Sequence, residues 1–232
     1  MRTLGILGGM SWESTASYYQ RINTGVRERL AGLHSASLLI ASYDFAEIEP
    51  LQAAQDWTTL GHTLSTTGSK LEQSGAEGLL IATNTMHRVA EEVESTTNIP
   101  LIHIADATAS LLRQNGVQRI ALLGTVFTMQ MGFYKNRLQE KAGVEVLVPK
   151  KDQQAEINRV IYEELCQGVI RDESRAAYLQ IASDLQKQGA EGVILGCTEI
   201  GLLLKPEHTE LPLFDTTEIH CEEAVSWMLA QD

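Results

Sequence analysis

The sequence predicts an α/β protein made of two similar lobes, each built on a mostly parallel sheet. Short apolar runs bounded by glycine or proline alternate with longer amphipathic stretches, which is the pattern of strand–helix–strand units. One segment also occurs twice, because GAEGLLIAT at residues 75–83 returns as GAEGVILGC at residues 189–197. Two repeats of this size indicate a duplicated domain, since a solenoid repeat is only about 20 to 50 residues long.

The repeat extends upstream, because LGILG at residues 4–8 aligns with IALLG at residues 120–124. We therefore expect two pseudosymmetric, doubly wound domains with the functional site in the cleft between them. The predicted N-terminal lobe comprises residues 1–99 plus 212–232, including a returning C-terminal helix, and the C-terminal lobe comprises residues 100–211. Both boundaries precede a proline, which disfavours helical backbone at the residue before it.

The predicted strands are the short apolar runs, taken in order along the chain. They cover residues 3–7, 37–42, 78–82, 101–103, 119–123, 145–148, 192–195 and 213–214. The predicted helices are the amphipathic stretches between them, and they cover residues 15–30, 58–73, 86–94, 105–115, 133–142, 153–167, 173–188 and 217–230. Ser14 predicts the start of the first helix, and Gly143 predicts the end of the fifth.

Composition narrows the class of partner. The 232 residues carry a net charge of −12, which argues against binding nucleic acid or an anionic membrane. No stretch approaches the roughly 20 apolar residues that span a bilayer. The three scattered cysteines form no CxxC pair, which favours a reducing cytoplasm. The six histidines show no metal-ligand spacing, so we expect no metal site.

The candidate chemical groups follow predicted strands, at the carboxyl edge where parallel sheets bind ligands. Cys197 is placed at a strand-to-helix turn, and a helix N-terminus lowers the pKa of a thiol from about 8.5. Cys166 and Cys221 are predicted to lie within helices as buried small residues. The Gly8-Gly9 pair is predicted to let the backbone approach a small ligand, because its spacing does not fit a dinucleotide loop.

The first repeat carries hydroxyl and amide groups where the second carries Cys197. Thr83, Asn84 and Thr85 exceed what one helix cap requires, and with backbone amides they could hold a carboxylate. His87 follows them within the first helical turn. A packing or capping role for His87 is favoured over a catalytic one.

These motifs resemble the aspartate/glutamate racemase family over essentially the whole chain. The resemblance is carried by GGMSWEST at residues 8–15, DFAEIE at 44–49, TNTMH at 83–87 and GCTEI at 196–200. The GCTEI form and the short length are closer to aspartate racemases and broad-specificity amino-acid racemases than to glutamate racemases. The resemblance implies an amino-acid substrate, no cofactor and a homodimer.

The same resemblance implies the site residues. Family members place one cysteine in each half, on opposite faces of the substrate α-carbon. By this similarity, Cys197 would be the base that removes the α-proton of the L-enantiomer. The implied substrate-binding residues are Met10, Gln52, Asn84, Thr85, Thr198 and Glu199.

Thr83 departs from the family pattern, which usually has cysteine at this position. A hydroxyl is far less acidic than a thiol, and each pKa unit corresponds to about 1.4 kcal/mol, so a threonine alkoxide is not an available base near neutral pH. Thr83 could still donate a proton to a carbanion or enediolate. The sequence therefore predicts a racemase of acidic or related amino acids that uses L-substrates well and D-substrates poorly.

Two other functions remain open on the sequence alone. A decarboxylase or isomerase of the same superfamily would use a single cysteine to protonate an enediolate. A protein that binds an amino acid without catalysis would show an ordinary Cys197 and no exchange chemistry.

Overall fold

A computed structural model of the 232-residue chain describes residues 1–230. The described part of the chain forms two compact units, one of Met1–Ile104 with residues 220–230 and the other of Ala105–Ile219. Each unit contains one parallel sheet of four strands flanked by helices. The predicted α/β class with a duplicated sheet is confirmed.

The two sheets repeat one topology. The first has the order β2-β1-β3-β4 and the second the order β6-β5-β7-β8, so each runs second, first, third, fourth. The strands are β1 (Leu4–Gly8), β2 (Leu38–Ser42), β3 (Gly78–Ile81), β4 (Leu101–Ile102), β5 (Arg119–Gly124), β6 (Glu145–Leu147), β7 (Val193–Gly196) and β8 (Leu213–Asp215). All eight were predicted, and no strand end differs from its prediction by more than one residue.

The helices differ more from the prediction. They are α1 (Trp12–Leu30), α2 (Phe45–Ala53), α3 (Trp57–Gln73), α4 (Ala90–Glu94), α5 (Ile104–Gln114), α6 (Val126–Gln130), α7 (Gly132–Ala142), α8 (Lys151–Glu163), α9 (Asp172–Gln186), α10 (Ile200–Leu203) and α11 (Thr216–Leu229). Short 3₁₀ turns cover Thr85–Val89, Leu165–Gln167 and Pro206–His208. Helices α2, α6 and α10 were not predicted.

The helix ends show which capping signals were correct. Helix α1 starts three residues before the predicted position, because Ser11 and not Ser14 is its cap, with the Ser11 hydroxyl accepting from the Ser14 N–H at 3.3 Å. Gly143 ends α7 as predicted. Its φ of 71° is left-handed, and its N–H donates to Gln139 O.

Alternate residues of the first sheet face different helical layers. Leu4 and Ile6 of β1 pack in one buried cluster with α1 and α11, whereas Leu7 packs in another cluster with α3. Because side chains alternate along a strand, apolar residues on both faces require helices on both sides of the sheet. The near-continuous apolar strands in the sequence thus correspond to a doubly wound unit.

Strands β4 and β8 both correct the predicted boundaries. Residues 100–211 were assigned to the C-terminal lobe, but β4 pairs with β3 in the first sheet. Residues 212–232 were assigned to the N-terminal lobe, but β8 pairs with β7 in the second sheet. Helix α11 follows β8 directly, and its later residues Ala224, Val225 and Met228 pack in the cluster that contains Leu4. Among residues 1–230, no helix combines the length and the apolarity needed to cross a bilayer.

Candidate active site

In the first unit, the turn after β1 is fixed by close backbone packing. Gly9 has a left-handed φ of 83°, and a Cβ on it would lie 2.2 Å from the carbonyl oxygen of Tyr43. Only glycine fits this position. The predicted close approach at Gly8-Gly9 therefore exists, but what approaches Gly9 is the Tyr43 backbone. Met10 follows this turn and is buried.

Hydrogen bonds from two different elements hold the backbone of the two residues after β3, Ala82 and Thr83. Ser14 of α1 donates its hydroxyl to the carbonyl of Ala82 at 2.9 Å. The carbonyl of Thr83 accepts from Nδ1 of His87 at 2.8 Å, and Nε2 of His87 accepts from the Ile104 N–H at 3.2 Å. Such bonds fix the neutral His87 tautomer with its proton on Nδ1. His87 thus has the packing role favoured by the sequence, and it anchors the turn that carries Thr83.

The remaining predicted residues of this unit lie on the same turn or pack beneath it. Thr83 is partly exposed, whereas Asn84 and Thr85 are buried. The buried Gln52 of α2 donates from Nε2 to the sulfur of Met86 at 3.0 Å. Met10 belongs to the apolar cluster that contains Met86. The fold therefore brings Met10 and Gln52 to the segment that starts at Thr83.

In the second unit, β7 ends beside β5 at a pair of glycines. Gly124 pairs with Gly196, and a Cβ on either would lie 2.9 Å from a carbonyl oxygen of the neighbouring strand. Neither position has room for a side chain. Cys197 is the next residue after Gly196, so it lies in the turn directly after β7. Cys197 and Thr83 occupy corresponding positions, because each follows the third strand of its own sheet.

The side chain of Glu199 accepts a hydrogen bond from the thiol of Cys197. The sulfur lies 2.9 Å from Oε2 of Glu199, whose side chain is buried, while Cys197 and Thr198 are partly exposed. Sequence reasoning assigned Glu199 to substrate binding and did not foresee this bond. The Cys-x-Glu spacing in one turn was the available signal.

The electrostatics of Cys197 correct one expectation from the sequence. Although the residue as a whole is partly exposed, its sulfur is packed within the protein, and this burial raises the pKa of the thiol well above its usual value. The charge of Glu199 raises it further. The turn was expected to lower this pKa through a helix N-terminus. Helix α10 has only four residues, Ile200–Leu203, so its dipole is weak. The Glu199 N–H does favour the thiolate, but its carboxylate and the burial outweigh it.

The neighbourhood of Cys197 contains one further buried group. Tyr178 of α9 is fully buried, and its hydroxyl donates to the carbonyl of Ile157 at 2.8 Å. Burial raises the pKa of Tyr178, and the charge of Cys197 raises it further. Sequence reasoning did not single out Tyr178. In the described part of the chain, no three His, Cys, Asp or Glu side chains group as metal ligands.

Comparison with known proteins gives a consistent set of relatives. A family profile described as Asp/Glu/Hydantoin racemase matches residues 7–224. The chain is 27% identical over 161 residues to the broad specificity amino-acid racemase RacX of Bacillus subtilis (strain 168), which covers 69% of each protein.

Two solved structures resemble the whole chain. A candidate Asp/Glu racemase from Yersinia pestis is 49% identical with a TM-score of 0.94, covering 99% of this chain and 100% of that one. An aspartate racemase homologue from Pyrococcus horikoshii OT3 is 36% identical with a TM-score of 0.86, again covering 99% of this chain and 100% of that one.

Proposed function

The chain belongs to the Asp/Glu/hydantoin racemase family, and we propose that it racemises acidic or related amino acids without a cofactor. L-aspartate and L-glutamate are the favoured substrates. The observation that carries the proposal is the position of Cys197 directly after β7, where the residue is partly exposed and its thiol donates a hydrogen bond to the carboxylate of Glu199. The names of the relatives support the amino-acid substrate.

Cys197 is proposed as the base that removes the α-proton of the L-enantiomer. In the resting protein it is a thiol, because burial and Glu199 raise its pKa. The thiol must therefore lose its proton before it can act, and the carboxylate of Glu199, which accepts its hydrogen bond at 2.9 Å, is proposed to take that proton. The positively charged amino group of a bound substrate would favour the same step by stabilising the thiolate.

Thr83 is proposed to serve the opposite face of the α-carbon. Its hydroxyl can give a proton to the strongly basic carbanion and is then reprotonated through water or a neighbouring group, whereas a standing alkoxide is too basic to be available as a base near neutral pH. Positioned proton transfer contributes roughly 10² to 10⁴ in rate. This difference between a thiol and an alcohol is the reason to expect efficient attack on L-substrates and poor attack on D-substrates.

This asymmetry cannot make the reaction one-way. The two free enantiomers have equal energy, so the ratio of kcat/KM in the two directions must equal one. The bias is therefore expected in kcat and KM taken separately, or as exchange of the L α-proton with solvent without inversion.

The proposed binding residues are Met10, Gln52, Asn84, Thr85, Thr198 and Glu199. Asn84 and Thr85 offer an amide and a hydroxyl in the turn after β3, and Thr198 offers a partly exposed hydroxyl in the turn after β7. Gln52 presents its amide from α2 beside Met86. Replacing Asn84 by Ala should raise KM for L-aspartate more than it lowers kcat.

The test incubates the protein in D₂O with L-aspartate, D-aspartate, L-glutamate and D-glutamate. Proton NMR follows loss of the α-proton, and chiral chromatography follows the enantiomers. We expect α-proton loss from the L-forms and appearance of the D-forms. No exchange and no inversion with any of the four would refute the proposal for acidic substrates. Release of carbon dioxide from a malonate would instead select the single-cysteine decarboxylase.

The homodimer implied by the resemblance is also proposed for this chain, together with a cytoplasmic location. Light scattering coupled to gel filtration should give twice the chain mass of 25.5 kDa. A monomer at working concentrations would refute the dimer and would leave the chemistry of Cys197 untouched.

A further inference from the structure

A second thiol lies near Cys197. The 3₁₀ turn Leu165–Gln167 carries Cys166 and packs against helix α10, which begins three residues after Cys197. Both cysteines are partly exposed, and both pack against the same buried cluster of the second unit. Sequence reasoning treated Cys166 as a buried residue within a helix, whereas the helix α8 ends at Glu163, before this turn begins.

Cys166 also contributes to the electrostatics of Cys197. Charge on Cys166 raises the pKa of Cys197, after the larger contributions of burial and of Glu199. The third cysteine differs from these two in its exposure and in the cluster against which it packs. Cys221 is buried, and it packs in a cluster of the first unit with Leu4 and Tyr18.

We propose that Cys166 and Cys197 form a reversible intramolecular disulfide when the protein meets a peroxide. The thiolate of Cys197 attacks one peroxide oxygen, the O–O bond breaks, and sulfenic acid and water form. The thiolate of Cys166 then attacks that sulfur and displaces hydroxide, which leaves as a second water after protonation. Two thiols are oxidised, and one peroxide is reduced to two waters.

The disulfide protects the sulfur of Cys197 from irreversible oxidation. Without a neighbouring thiol, sulfenic acid proceeds to sulfinic acid, which most cells cannot reduce. With Cys166 in reach, a reducing thiol restores both side chains. Because the resting Cys197 is a thiol and only the thiolate attacks peroxide, the reaction should accelerate as the pH rises.

The linkage can be read by peptide mapping of the intact protein. The protein is treated with hydrogen peroxide, free thiols are alkylated, and the chain is cut with trypsin and a Glu-specific protease. These proteases separate the three cysteines, because Cys166 falls in residues 165–171, Cys197 in 192–199 and Cys221 in 219–222. We expect residues 165–171 joined to 192–199, and dithiothreitol should release them.

Matched variants test which thiol is required. Cys166→Ser should abolish the linked peptide and should let Cys197 proceed to sulfinic acid. Cys221→Ser should leave the linked peptide unchanged. Wild-type Cys197 converted to sulfinic acid with no linked peptide, or linked to Cys221 or to a second chain, would overturn the proposal.

A second measurement, of racemase activity, rests on the proposed function because it assumes that Cys197 is the base. Racemase activity should fall with formation of the linked peptide and return with dithiothreitol, whereas Cys166→Ser should lose activity without recovery. Activity that persists in a fully linked sample would refute Cys197 as the base and would leave the disulfide standing. The map itself requires no activity, so the two failures are distinguishable.

Discussion

His220 makes folding stability sensitive to mild acid. Its ring is fully buried, with Nε2 donating to the carbonyl of Ile102 at 2.7 Å and Nδ1 accepting from the hydroxyl of Tyr18 at 2.9 Å. The ring of His87 lies 5.7 Å away. Burial lowers the pKa of His220 to about 4, so the imidazole stays neutral in the folded protein.

The size of the effect follows from the two pKa values. In the unfolded chain the imidazole titrates near 6.5, so between about pH 6.5 and about pH 4 the unfolded state binds a proton that the folded state does not. This contribution to stability is therefore complete above about pH 6.5 and is lost as the pH falls towards 4. The loss is about 2 kcal/mol at pH 5 and about 3 kcal/mol below pH 4.

The assay is urea unfolding followed by circular dichroism between about pH 7 and about pH 5. His220→Gln removes the titrating group, so its stability should depend less on pH than that of the wild type by about 2 kcal/mol over this range. His62→Gln is the matched control, because His62 is exposed. An equal pH dependence in wild type and His220→Gln would refute the reasoning.

Three further predictions concern the two turns. Ser14→Ala removes the donor to the buried carbonyl of Ala82 and should lower the free energy of unfolding by about 1 to 3 kcal/mol in urea titrations. Glu199→Gln removes a charge that raises the pKa of Cys197, so alkylation of that thiol by iodoacetamide should begin at lower pH; an unchanged profile would contradict this. Thr83→Cys should speed α-proton loss from D-aspartate and D-glutamate, and no change would show that residue 83 transfers no proton.

The strands were predictable because burial on both faces leaves a strong sequence signal. Short apolar runs such as LGILG end at glycine, and they differ clearly from the longer amphipathic stretches that form helices. Helix α2 was not predicted, and it contains Pro50, a residue that is rare in the interior of helices. The signal that was available is Asp44, whose side chain caps the N–H of Ala46.

The location of the candidate groups was also predictable, but their electrostatics were not. The internal repeat pairs Thr83 with Cys197, and strand ends locate both at the carboxyl edges of their sheets. The pKa of Cys197 depends on how deeply the sulfur is packed and on where the carboxylate of Glu199 points. Neither quantity is encoded in residue spacing, so the expected lowering was wrong in sign.

The most direct test of the account is deuterium incorporation at the α-carbon of L-aspartate and L-glutamate by wild type and Cys197→Ala. We predict exchange with the wild type and its loss in Cys197→Ala, while circular dichroism shows both proteins folded. Cys166→Ala serves as the matched thiol deletion and should keep the exchange. Undiminished exchange in Cys197→Ala would contradict the claim that this sulfur removes the α-proton.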